Sequence, residues 1–416
     1  MSSPLPYQEA VKIVLGCAAQ LKPSGTERVS LLQSSGRVLA VGVRADRDLP
    51  PFPRSTRDGF AVRSEDCALP GTALKIIGEV RAGILPEAMP RAIVPGECVE
   101  IMTGGPIPVG ADAVLMYEYA NRDDTSVAPQ RPVERGENIV PAGAEAGAGT
   151  QVLPPGLRLT HAAVAVSASV GWVAHDVYKK PRVVILPTGD EIVDVSLAPG
   201  RHQIRNSNSY SLAAQIVEAG GEPMLLPVAP DEPSRLRELI AEGLQGDLLL
   251  LTGGVSVGKY DYVEQVLAEF KAKFHITSVA IQPGKPLVFG DASALEGEPR
   301  RVPFFGLPGN PVSTMVTFEL FVRPVIDALS GVAPRARRFL RAKLAADIRT
   351  KTGLTRFLPA RLRGSGNDAT VELARWQGSG DVVATAAANC YIVVSPDREL
   401  IPSGELVPIL LRGADL

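Results

Sequence analysis

The sequence predicts a multidomain protein of the α/β plus β class. Its expected parts are a central open α/β sheet domain, a β-rich inserted domain, a small N-terminal helical linking domain and a C-terminal β-barrel. The chain has 416 residues, which is more than one ordinary hydrophobic core accommodates. Between residues 179 and 330, short apolar runs alternate with stretches of helical period, as in a sheet with helices on both faces. On both sides of this region, proline and glycine interrupt short β-prone runs.

The first 178 residues contain two predicted helices and a β-rich insertion. A helix is expected over residues 5–21, because apolar residues recur at helical spacing before Pro23. A second helix is expected over residues 160–170, with Thr160 as its N-cap. We therefore assign residues 1–48 plus 142–178 to a discontinuous linking unit and residues 49–141 to a β-rich unit.

The second half of the chain divides into two further units. In the α/β unit (residues 179–330), strands are expected at 182–186, 224–228, 248–251 and 302–305, helices at 209–219, 233–244 and 311–329, and a hairpin at 276–281 and 286–290. Pro324 is expected to kink the last helix. Residues 331–416 form the expected barrel, from β-type runs at 342–348, 369–374, 389–394 and 405–411.

Composition excludes several classes of function. The net charge is −2, the pI is about 6.2 and aromatic residues are 5%, so neither a global basic field nor an aromatic platform for nucleic acid is expected. A basic cluster at residues 335–338 is expected to be a solvated linker after a helix. Four scattered cysteines without a C-x-x-C pair predict reduced thiols and a cytoplasmic protein. The longest apolar stretch, 162–174, is too short to span a membrane.

The most informative motif is the glycine-rich loop Thr252–Asp261, which follows an apolar strand and precedes a predicted helix. Its glycines allow backbone N–H groups to face a ligand, and the helix dipole favours an anion there. Asp261 would repel that anion unless a divalent cation lies between them. The loop therefore predicts a phosphorylated or oxyanionic ligand together with a metal ion, although glycines required only for packing are an alternative.

Two further loops leave the same edge of the predicted sheet. In the first, residues 188–191, the paired carboxylates of Asp190 and Glu191 suit Mg²⁺, but an ordinary turn capped by Asp190 explains them equally well. In the second, residues 307–313, Asn310 is a good N-cap and Pro311 suits the first helical position. We favour an anion at this helix start, because two prolines make the loop more rigid than a cap requires.

Several other polar residues have local explanations. Lys285 lies in a turn and spacing alone indicates an exposed hairpin lysine, while Asp58 and Thr103 are typical turn residues. The four histidines lack metal-ligand spacing, so a zinc site is not expected. Walker A, G-x-G-x-x-G and G-x-S-x-G motifs are absent from the sequence.

The ordered set of motifs resembles the molybdopterin molybdenumtransferase family. The segments that carry the resemblance are Asp58–Ala61, Met102–Pro108, Thr188–Glu191, Thr252–Asp261, Pro283–Pro286, Gly306–Ser313 and Gln377–Gly380. The resemblance implies a molybdopterin-binding-like α/β domain and transfer of molybdenum from molybdate to adenylylated molybdopterin, with release of AMP and a requirement for Mg²⁺. It also implies an elongated homodimer, with the active cleft between the α/β unit of one subunit and the β-rich unit of the other. Other molybdenum cofactor biosynthesis proteins are expected as further partners.

The resemblance also implies roles for individual residues. It makes Asp58, Thr103, Glu191 and Asp261 catalytic, with Glu191 and Asp261 as ligands of Mg²⁺. The substrate-binding residues that we expect are Thr188, Gly189, Asp190, Asp231, Gly253, Gly254, Ser256, Gly258, Lys285, Pro308, Gly309, Asn310, Pro311 and Ser379. Arg356 matches a further position in the C-terminal segment.

Three residues depart from the family pattern. Gln282 and Ser278 stand where basic residues are common, and Arg57 replaces an apolar residue. The loss of lysines weakens anion attraction, so a paralogue that acts with tungstate or serves as a non-catalytic scaffold is an alternative. A second alternative is a molybdopterin adenylyltransferase, because the α/β unit alone resembles that family as well.

Overall fold

The computed structural model describes residues 3–253, 262–293 and 300–412. In the first half of the chain, the helices are α1 (Tyr7–Ala18) and α2 (His161–Ser169), and the strands are β1 (Thr26–Ser30), β2 (Val43–Arg44), β3 (Arg54–Ser55), β4 (Gly59–Val62), β5 (Leu74–Val80), β6 (Glu97–Ile101), β7 (Ala113–Met116), β8 (Ala120–Arg122), β9 (Ser126–Pro129), β10 (Ile139–Val140), β11 (Gln151–Leu153) and β12 (Ala174–Tyr178).

In the second half, the helices are α3 (Ser207–Ala219), α4 (Pro233–Gly243), α5 (Tyr262–Glu269), α6 (Pro311–Thr317), α7 (Arg323–Leu329) and α8 (Val382–Ala386). The strands are β13 (Arg182–Pro187), β14 (Ile192–Val193), β15 (Ile204–Arg205), β16 (Glu222–Leu225), β17 (Leu248–Thr252), β18 (Lys273–Ile276), β19 (Ile281–Gln282), β20 (Val288–Ser293), β21 (Arg301–Leu307), β22 (Leu340–Leu344), β23 (Ile348–Arg349), β24 (Thr355–Arg363), β25 (Thr370–Leu373), β26 (Cys390–Val394), β27 (Leu400–Ile401) and β28 (Leu406–Leu411).

The β-rich unit contains a mixed sheet in the order β7-β4-β6-β5-β9-β8. Strand β4 is buried along its whole length, because Phe60 packs into one core and Ala61 into another on the opposite face. A Cβ atom at Gly59 would lie 2.0 Å from the carbonyl oxygen of Leu115, so only glycine fits beside β7. The antiparallel register of Gly59 with Ile101 brings the residue before β4 close to the loop after β6.

The central sheet has the order β16-β13-β17-β21-β20-β18, and its first four strands are parallel. The sequence of strand β17 is continuously apolar because both faces of the strand are buried. Leu248 and Leu250 pack into the core that includes residues of α3, α6 and α7, while Leu249 and Leu251 pack into the core beneath α4 and α5. The open α/β sheet predicted for this region is confirmed, and the carboxyl ends of β13, β17 and β21 meet at one edge.

The predicted hairpin is wrong in one of its strands. Val288–Ser293 pairs with Lys273–Ile276, and Ile281–Gln282 leaves this sheet to pair with β24 of the barrel. The register shifts between Phe274 and Ile276, and the chain then turns away from the sheet. The alternation of apolar residues could not show which sheet the second segment would join.

The last helix of the α/β unit also differs from the prediction. A π-helical segment, Phe318–Val322, separates α6 from α7 one turn before Pro324. Proline has no N–H group, so it cannot donate to the carbonyl group four residues earlier, and the turn widens in front of it. The predicted irregularity is therefore present, but it lies N-terminal to the proline.

The C-terminal sheet closes into a barrel, as predicted, because β24 pairs with both β25 and β26 around the series β24-β25-β22-β28-β26. Strand β24 was not predicted. Residues 356–360 of this strand are all buried, so the strand lacks the polar alternation that marks a half-exposed strand. Pro359 within it also argues against a strand on sequence grounds.

Helix α1 packs on the α/β unit and the barrel. Its Tyr7 ring makes edge-on contacts with Phe321, at 6.1 Å between centroids, and with Phe357, at 5.3 Å. One continuous hydrophobic core therefore joins the N-terminal helix, the central sheet and the barrel. In the part of the chain that the structure describes, no helix has the length and apolarity needed to cross a bilayer.

Candidate functional site

A cavity of about 630 Å³ lies at the carboxyl edge of the central sheet. Three predicted loops line it, and they follow β13, β17 and β21. The predicted site residues in its wall are Thr188, Glu191, Gly253, Pro308, Gly309, Asn310 and Pro311. The edge of a parallel sheet is where open α/β folds bind ligands, so the position agrees with the sequence analysis.

Hydrogen bonds hold the loop after β13 against that after β17. The backbone N–H of Thr188 donates to the carbonyl oxygen of Thr252 at 2.9 Å. The Thr188 hydroxyl oxygen is buried and has no hydrogen-bond partner among the described residues. A buried hydroxyl group without a partner is costly, so this atom is a candidate contact for a ligand.

Gly253 explains why the loop after β17 needs glycine at its first position. Its φ angle is +87°, and a Cβ atom there would lie 2.4 Å from the carbonyl oxygen of Thr188. A Cβ atom at Gly309 would lie 3.8 Å from the Cα of Gly253. The loops after β13, β17 and β21 therefore lie close together. The predicted residues Gly254, Ser256, Gly258 and Asp261 lie outside the described residues, and their roles stay predictions.

The loop after β21 begins α6 at Pro311, as predicted, but the side chain of Asn310 does not cap the helix. Only the backbone carbonyl of Asn310 takes part, accepting hydrogen bonds from the backbone N–H of Thr314 at 3.0 Å and from its hydroxyl at 3.1 Å. The Asn310 side chain is therefore not needed to start the helix. It lies in the wall of the cavity, where it is free to contact a ligand.

The end of β15 and the start of α3 were not predicted to join the site, but Arg205, Asn206, Ser207 and Asn208 line the cavity. The Asn206 side chain caps the helix by accepting from the backbone N–H of Ser209 at 3.1 Å. The Asn208 amide donates to the carbonyl oxygen of Gly309 at 2.8 Å, which joins α3 to the loop after β21. The polar run before Ser209 was the available signal, since an asparagine three residues before it is a good N-cap.

Asp190, Glu191 and Asp231 form an acidic group beside the cavity. The backbone N–H of Asp231 donates to an Asp190 carboxylate oxygen at 3.2 Å. Partial burial raises the pKa of Asp231, and the negative charges of Asp190 and Glu191 raise it further. Of these three residues, only Glu191 lines the cavity.

The Glu191 carboxylate in the cavity wall suits Mg²⁺, because Mg²⁺ takes one or two protein carboxylates and completes its shell with water and substrate phosphates. Burial is the largest cause of the raised pKa of Asp231, and a cation beside Asp190 and Glu191 would offset the smaller contribution of their negative charges. A cluster of three ligating side chains close enough to hold a metal does not occur within residues 3–253, 262–293 and 300–412. Asp261, the second predicted ligand, lies outside these ranges.

Asp58 and Thr103 are brought together in the β-rich unit. Asp58 accepts hydrogen bonds from the backbone N–H of Thr103 at 2.6 Å and from its hydroxyl at 2.8 Å. These bonds hold the pKa of Asp58 below its usual value, with the backbone bond as the larger cause. Both residues are exposed, and neither lines the cavity. In a single chain, the two halves of the predicted site are therefore separate.

The barrel also reaches the cavity. The carbonyl oxygen of Ser379 accepts from the backbone N–H of Val312 at 3.0 Å, and the next residue, Gly380, lines the cavity. Lys285 is exposed and adjoins the cavity residue Pro286. Arg356 is buried and donates to the carbonyl oxygen of Leu354 at 3.2 Å, so it organises the barrel and does not line the cavity.

Models of known families match the chain in three consecutive parts. Residues 5–171 match the MoeA N-terminal region (domain I and II), residues 184–328 match a probable molybdopterin-binding domain, and residues 341–411 match the MoeA C-terminal region (domain IV).

Full-length relatives agree with these matches. The chain is 32% identical over 422 residues to a molybdopterin molybdenumtransferase of Staphylococcus aureus, covering 99% of this chain and 97% of the relative. It is 38% identical over 340 residues to one of Nostoc sp., covering 80% of this chain and 76% of the relative. The crystal structure of a molybdopterin biosynthesis MoeA protein from Pyrococcus horikoshii superposes with a TM-score of 0.78 at 29% identity, covering 99% of this chain and 100% of that one. The chain therefore belongs to the molybdopterin molybdenumtransferase family.

Proposed function

We propose that this protein is the molybdenum insertase of molybdenum cofactor biosynthesis. It transfers molybdenum from molybdate to adenylylated molybdopterin and releases AMP. The observation that carries the proposal is the cavity at the carboxyl edge of the central sheet, lined by three predicted loops in a chain whose relatives of this name match it over 99% of its length.

The proposed roles follow from the geometry of the cavity. The start of α3 presents backbone N–H groups and the positive end of a 13-residue helix, which suits a phosphate or pyrophosphate group. Asn208, Asn310 and Gly253 shape the wall around that group. An oxygen of molybdate or water attacks the phosphorus of the pterin phosphate, its bond to the bridging oxygen breaks, and AMP leaves. Molybdenum is transferred when the two thiol groups of the pterin bind molybdate, and their two protons leave with one molybdate oxygen as water. No protein nucleophile is required, so catalysis rests on positioning and charge neutralisation.

Mg²⁺ is proposed as the cofactor, held by Glu191 and Asp261. A divalent ion held there would neutralise negative charge on the pyrophosphate oxygens. Glu191 extends the proposed site toward the acidic group formed with Asp190 and Asp231. Lys285 supplies a cation at the adjoining turn. Gln282 and Ser278 stand where the family pattern has further basic residues, so this turn carries less positive charge than in the family pattern.

A homodimer is proposed to complete the site. In one chain the Asp58–Thr103 pair lies outside the cavity, so a second copy would supply it, as the family resemblance implies. Mixing Asp58→Asn subunits with Glu191→Gln subunits tests this arrangement. If each site combines residues of two chains, random pairing restores about a quarter of the wild-type activity, because half the dimers carry one intact site of two. If each site is built from one chain, the mixture stays inactive.

The decisive experiment supplies purified protein with adenylylated molybdopterin, MgCl₂ and molybdate, and follows AMP release. Glu191→Gln should slow AMP release by about a hundredfold, as expected when charge stabilisation is lost. Glu222→Gln is the matched control, because this exposed carboxylate begins β16, at the amino-terminal end of a parallel strand, and should have no effect. Equal rates for the two variants would contradict the assignment of the site.

The same assay separates the other functions. An adenylyltransferase would consume ATP with free molybdopterin, and a scaffold would bind without releasing AMP. Parallel reactions with tungstate determine the preferred oxyanion, since the two oxyanions have nearly the same size and charge. The β-rich unit and the barrel favour the insertase over the adenylyltransferase. Relatives named as molybdenumtransferases match the chain across both of these units. We further propose a cytoplasmic location, from the reduced state expected of the scattered cysteines.

A further inference from the structure

A second cavity, of about 440 Å³, lies where the linking unit, the α/β unit and the linker to the barrel meet. Helix α3 separates it from the candidate site, because Ser207 lines the first cavity and Ala219 lines the second. At 1.5 Å per residue, that helix places them about 18 Å apart. We call this second cavity the arginine cleft, because its wall contains Arg158, Arg323, Arg335, Arg337 and Arg338.

The arginine cleft carries an excess of positive charge. Its five guanidinium groups face the carboxylates of Glu218 and Asp327, and Glu319 lies behind two of them. Within the described residues of this region, two positive charges therefore remain uncompensated. The surplus is local, because the net charge of the whole chain is −2.

Three of the arginines are held in place by ion pairs. Arg158 contacts Asp327 at 3.1 Å, and Arg323 and Arg337 each contact Glu319 at 3.3 Å. These pairs join the linking unit, the end of the long helix and the linker to the barrel. The cleft therefore has a wall of fixed guanidinium groups, whose planar donors match phosphate oxygens.

The other two arginines are available to a ligand. Arg335 and Arg338 are exposed and make no hydrogen bond or ion pair with any residue that the structure describes. Residues 335–338 were expected to be a solvated linker, but Arg337 is half-buried between Arg335 and Arg338. The linker therefore forms part of a wall, with two free cations at its rim.

The electrostatic environment also favours an anion. Burial lowers the pKa of Arg337, Glu319 opposes this effect, and the neighbouring charge of Arg323 adds to it. A guanidinium group whose charge is disfavoured in this way gains from a negative partner. An anion bound against the exposed Arg335 and Arg338 would supply one without disturbing the existing ion pairs.

We propose that the arginine cleft binds a small, soluble phosphorylated anion of the diphosphate type. A volume of about 440 Å³ suits a small molecule, since ligand sites typically occupy roughly 300–1,000 Å³. Two free guanidinium groups flanked by three fixed ones match a ligand with several phosphate oxygens. Nucleic acid fits less well, because the wall of the cleft contains no aromatic residue for base stacking.

The test uses the full-length protein and inorganic pyrophosphate, with binding measured by isothermal titration calorimetry at 150 mM NaCl. The double variant Arg335→Ala/Arg338→Ala removes the free cations and leaves the ion pairs intact. The control is Arg47→Ala/Arg349→Ala, which removes two exposed arginines outside the cleft and changes the net charge equally. Pyrophosphate that binds the candidate site contributes equally to all three proteins, so the difference between them reports on the cleft.

We expect a binding event at the cleft in the wild-type and control proteins, and its affinity should fall by about tenfold or more in the Arg335→Ala/Arg338→Ala variant. Equal titrations for all three proteins would overturn the proposal. A single-stranded oligonucleotide or vesicles containing phosphatidylserine provide the competing probes. If either binds in an Arg335/Arg338-dependent manner while pyrophosphate does not, the cleft serves a polymer or a membrane surface, and the proposal is wrong. The outcome is independent of the proposed function, because AMP release is not measured.

Discussion

At the scale of single residues, the Asp58–Thr103 pair shows how hydrogen bonds between two turn residues fix the position of a charged carboxylate. Two hydrogen bonds from Thr103 reach one carboxylate oxygen of an exposed aspartate. The bonds favour the charged form, so the pKa of Asp58 lies below its usual value. The pair therefore presents a fixed carboxylate and a hydroxyl group at the surface of the β-rich unit.

Replacing Thr103 by alanine should raise the pKa of Asp58 toward its usual value. The rise will be partial, because the backbone N–H of residue 103 keeps its bond to the carboxylate. The depressed pKa contributes stability above the ordinary aspartate range, and this contribution is lost as the pH falls through the depressed value. A ¹³C NMR titration of the Asp58 carboxyl group measures the effect. Thr103→Ser keeps the hydroxyl group and should restore the lower pKa, and an unchanged pKa in Thr103→Ala would contradict the prediction.

A second residue-scale prediction concerns Gly253. An alanine with a left-handed φ costs roughly 1–2 kcal/mol. Gly253→Ala should lower the free energy of unfolding by more than this, because its Cβ would also overlap the carbonyl oxygen of Thr188. Gly71→Ala is the matched control, since Gly71 has a φ of +84° and open space around its hypothetical Cβ. Urea denaturation compares the two variants. Similar losses of stability would show that the loops after β13 and β17 are not tightly packed.

At the scale of elements, the two helix starts at the cavity illustrate different uses of asparagine. Asn206 caps α3 through its side chain, whereas the side chain of Asn310 makes no capping bond to α6. Both residues occupy positions where asparagine is favoured, so sequence alone gives them the same interpretation. Only the rotamer in the folded protein distinguishes a structural cap from a side chain left free for a ligand.

The two asparagines should therefore respond differently to substitution by alanine. Asn206→Ala should cost about 1 kcal/mol of stability, because an N–H group of α3 loses its partner. Asn310→Ala should change stability by only a few tenths of a kcal/mol, roughly, and should slow AMP release. Thermal denaturation and the AMP assay measure the two effects.

The control variant is Thr160→Ala, which removes the cap of α2 outside the cavity. It should destabilise the protein with no change in the rate of AMP release. A large loss of stability in Asn310→Ala would show that its side chain is structural.

Elements with strong periodicity were predictable, and those defined by partners in another unit were not. The apolar strand β17 and the helix α3 were found because burial on two faces or on one face leaves a clear pattern. Strand β24 was missed because both of its faces are covered over residues 356–360. Strand β19 was assigned to the wrong sheet because its partner lies more than 70 residues away.

At the scale of the whole molecule, the barrel is joined to the rest of the protein by a shared core. Phe357 lies in the same hydrophobic cluster as Tyr7 and Phe321, while the adjacent Leu358 points into the interior of the barrel. Neighbouring residues of one strand therefore belong to two different cores. This arrangement couples the stability of the barrel to that of the α/β unit.

Phe357→Ala should destabilise the protein by about 3–5 kcal/mol and should increase hydrogen exchange in α1, in α7 and in the barrel, because the cavity opens into the shared core. Leu358→Ala is the neighbouring control and should increase exchange within the barrel alone. Hydrogen–deuterium exchange resolved by peptide measures both patterns. Exchange confined to the barrel in both variants would mean that the shared core does not couple the units.

The sequence by itself determined the class of each unit, the loops at the sheet edge and the family. These features depend on local periodicity, on glycine and proline positions and on the order of motifs along the chain. Only the tertiary structure decided that the start of α3 joins the candidate site, that Asn310 leaves its side chain free, and that Arg337 is half-buried while Arg335 and Arg338 are exposed. The physical reason is that burial and hydrogen-bond partners depend on segments distant in the chain, and no local pattern specifies which of them will meet.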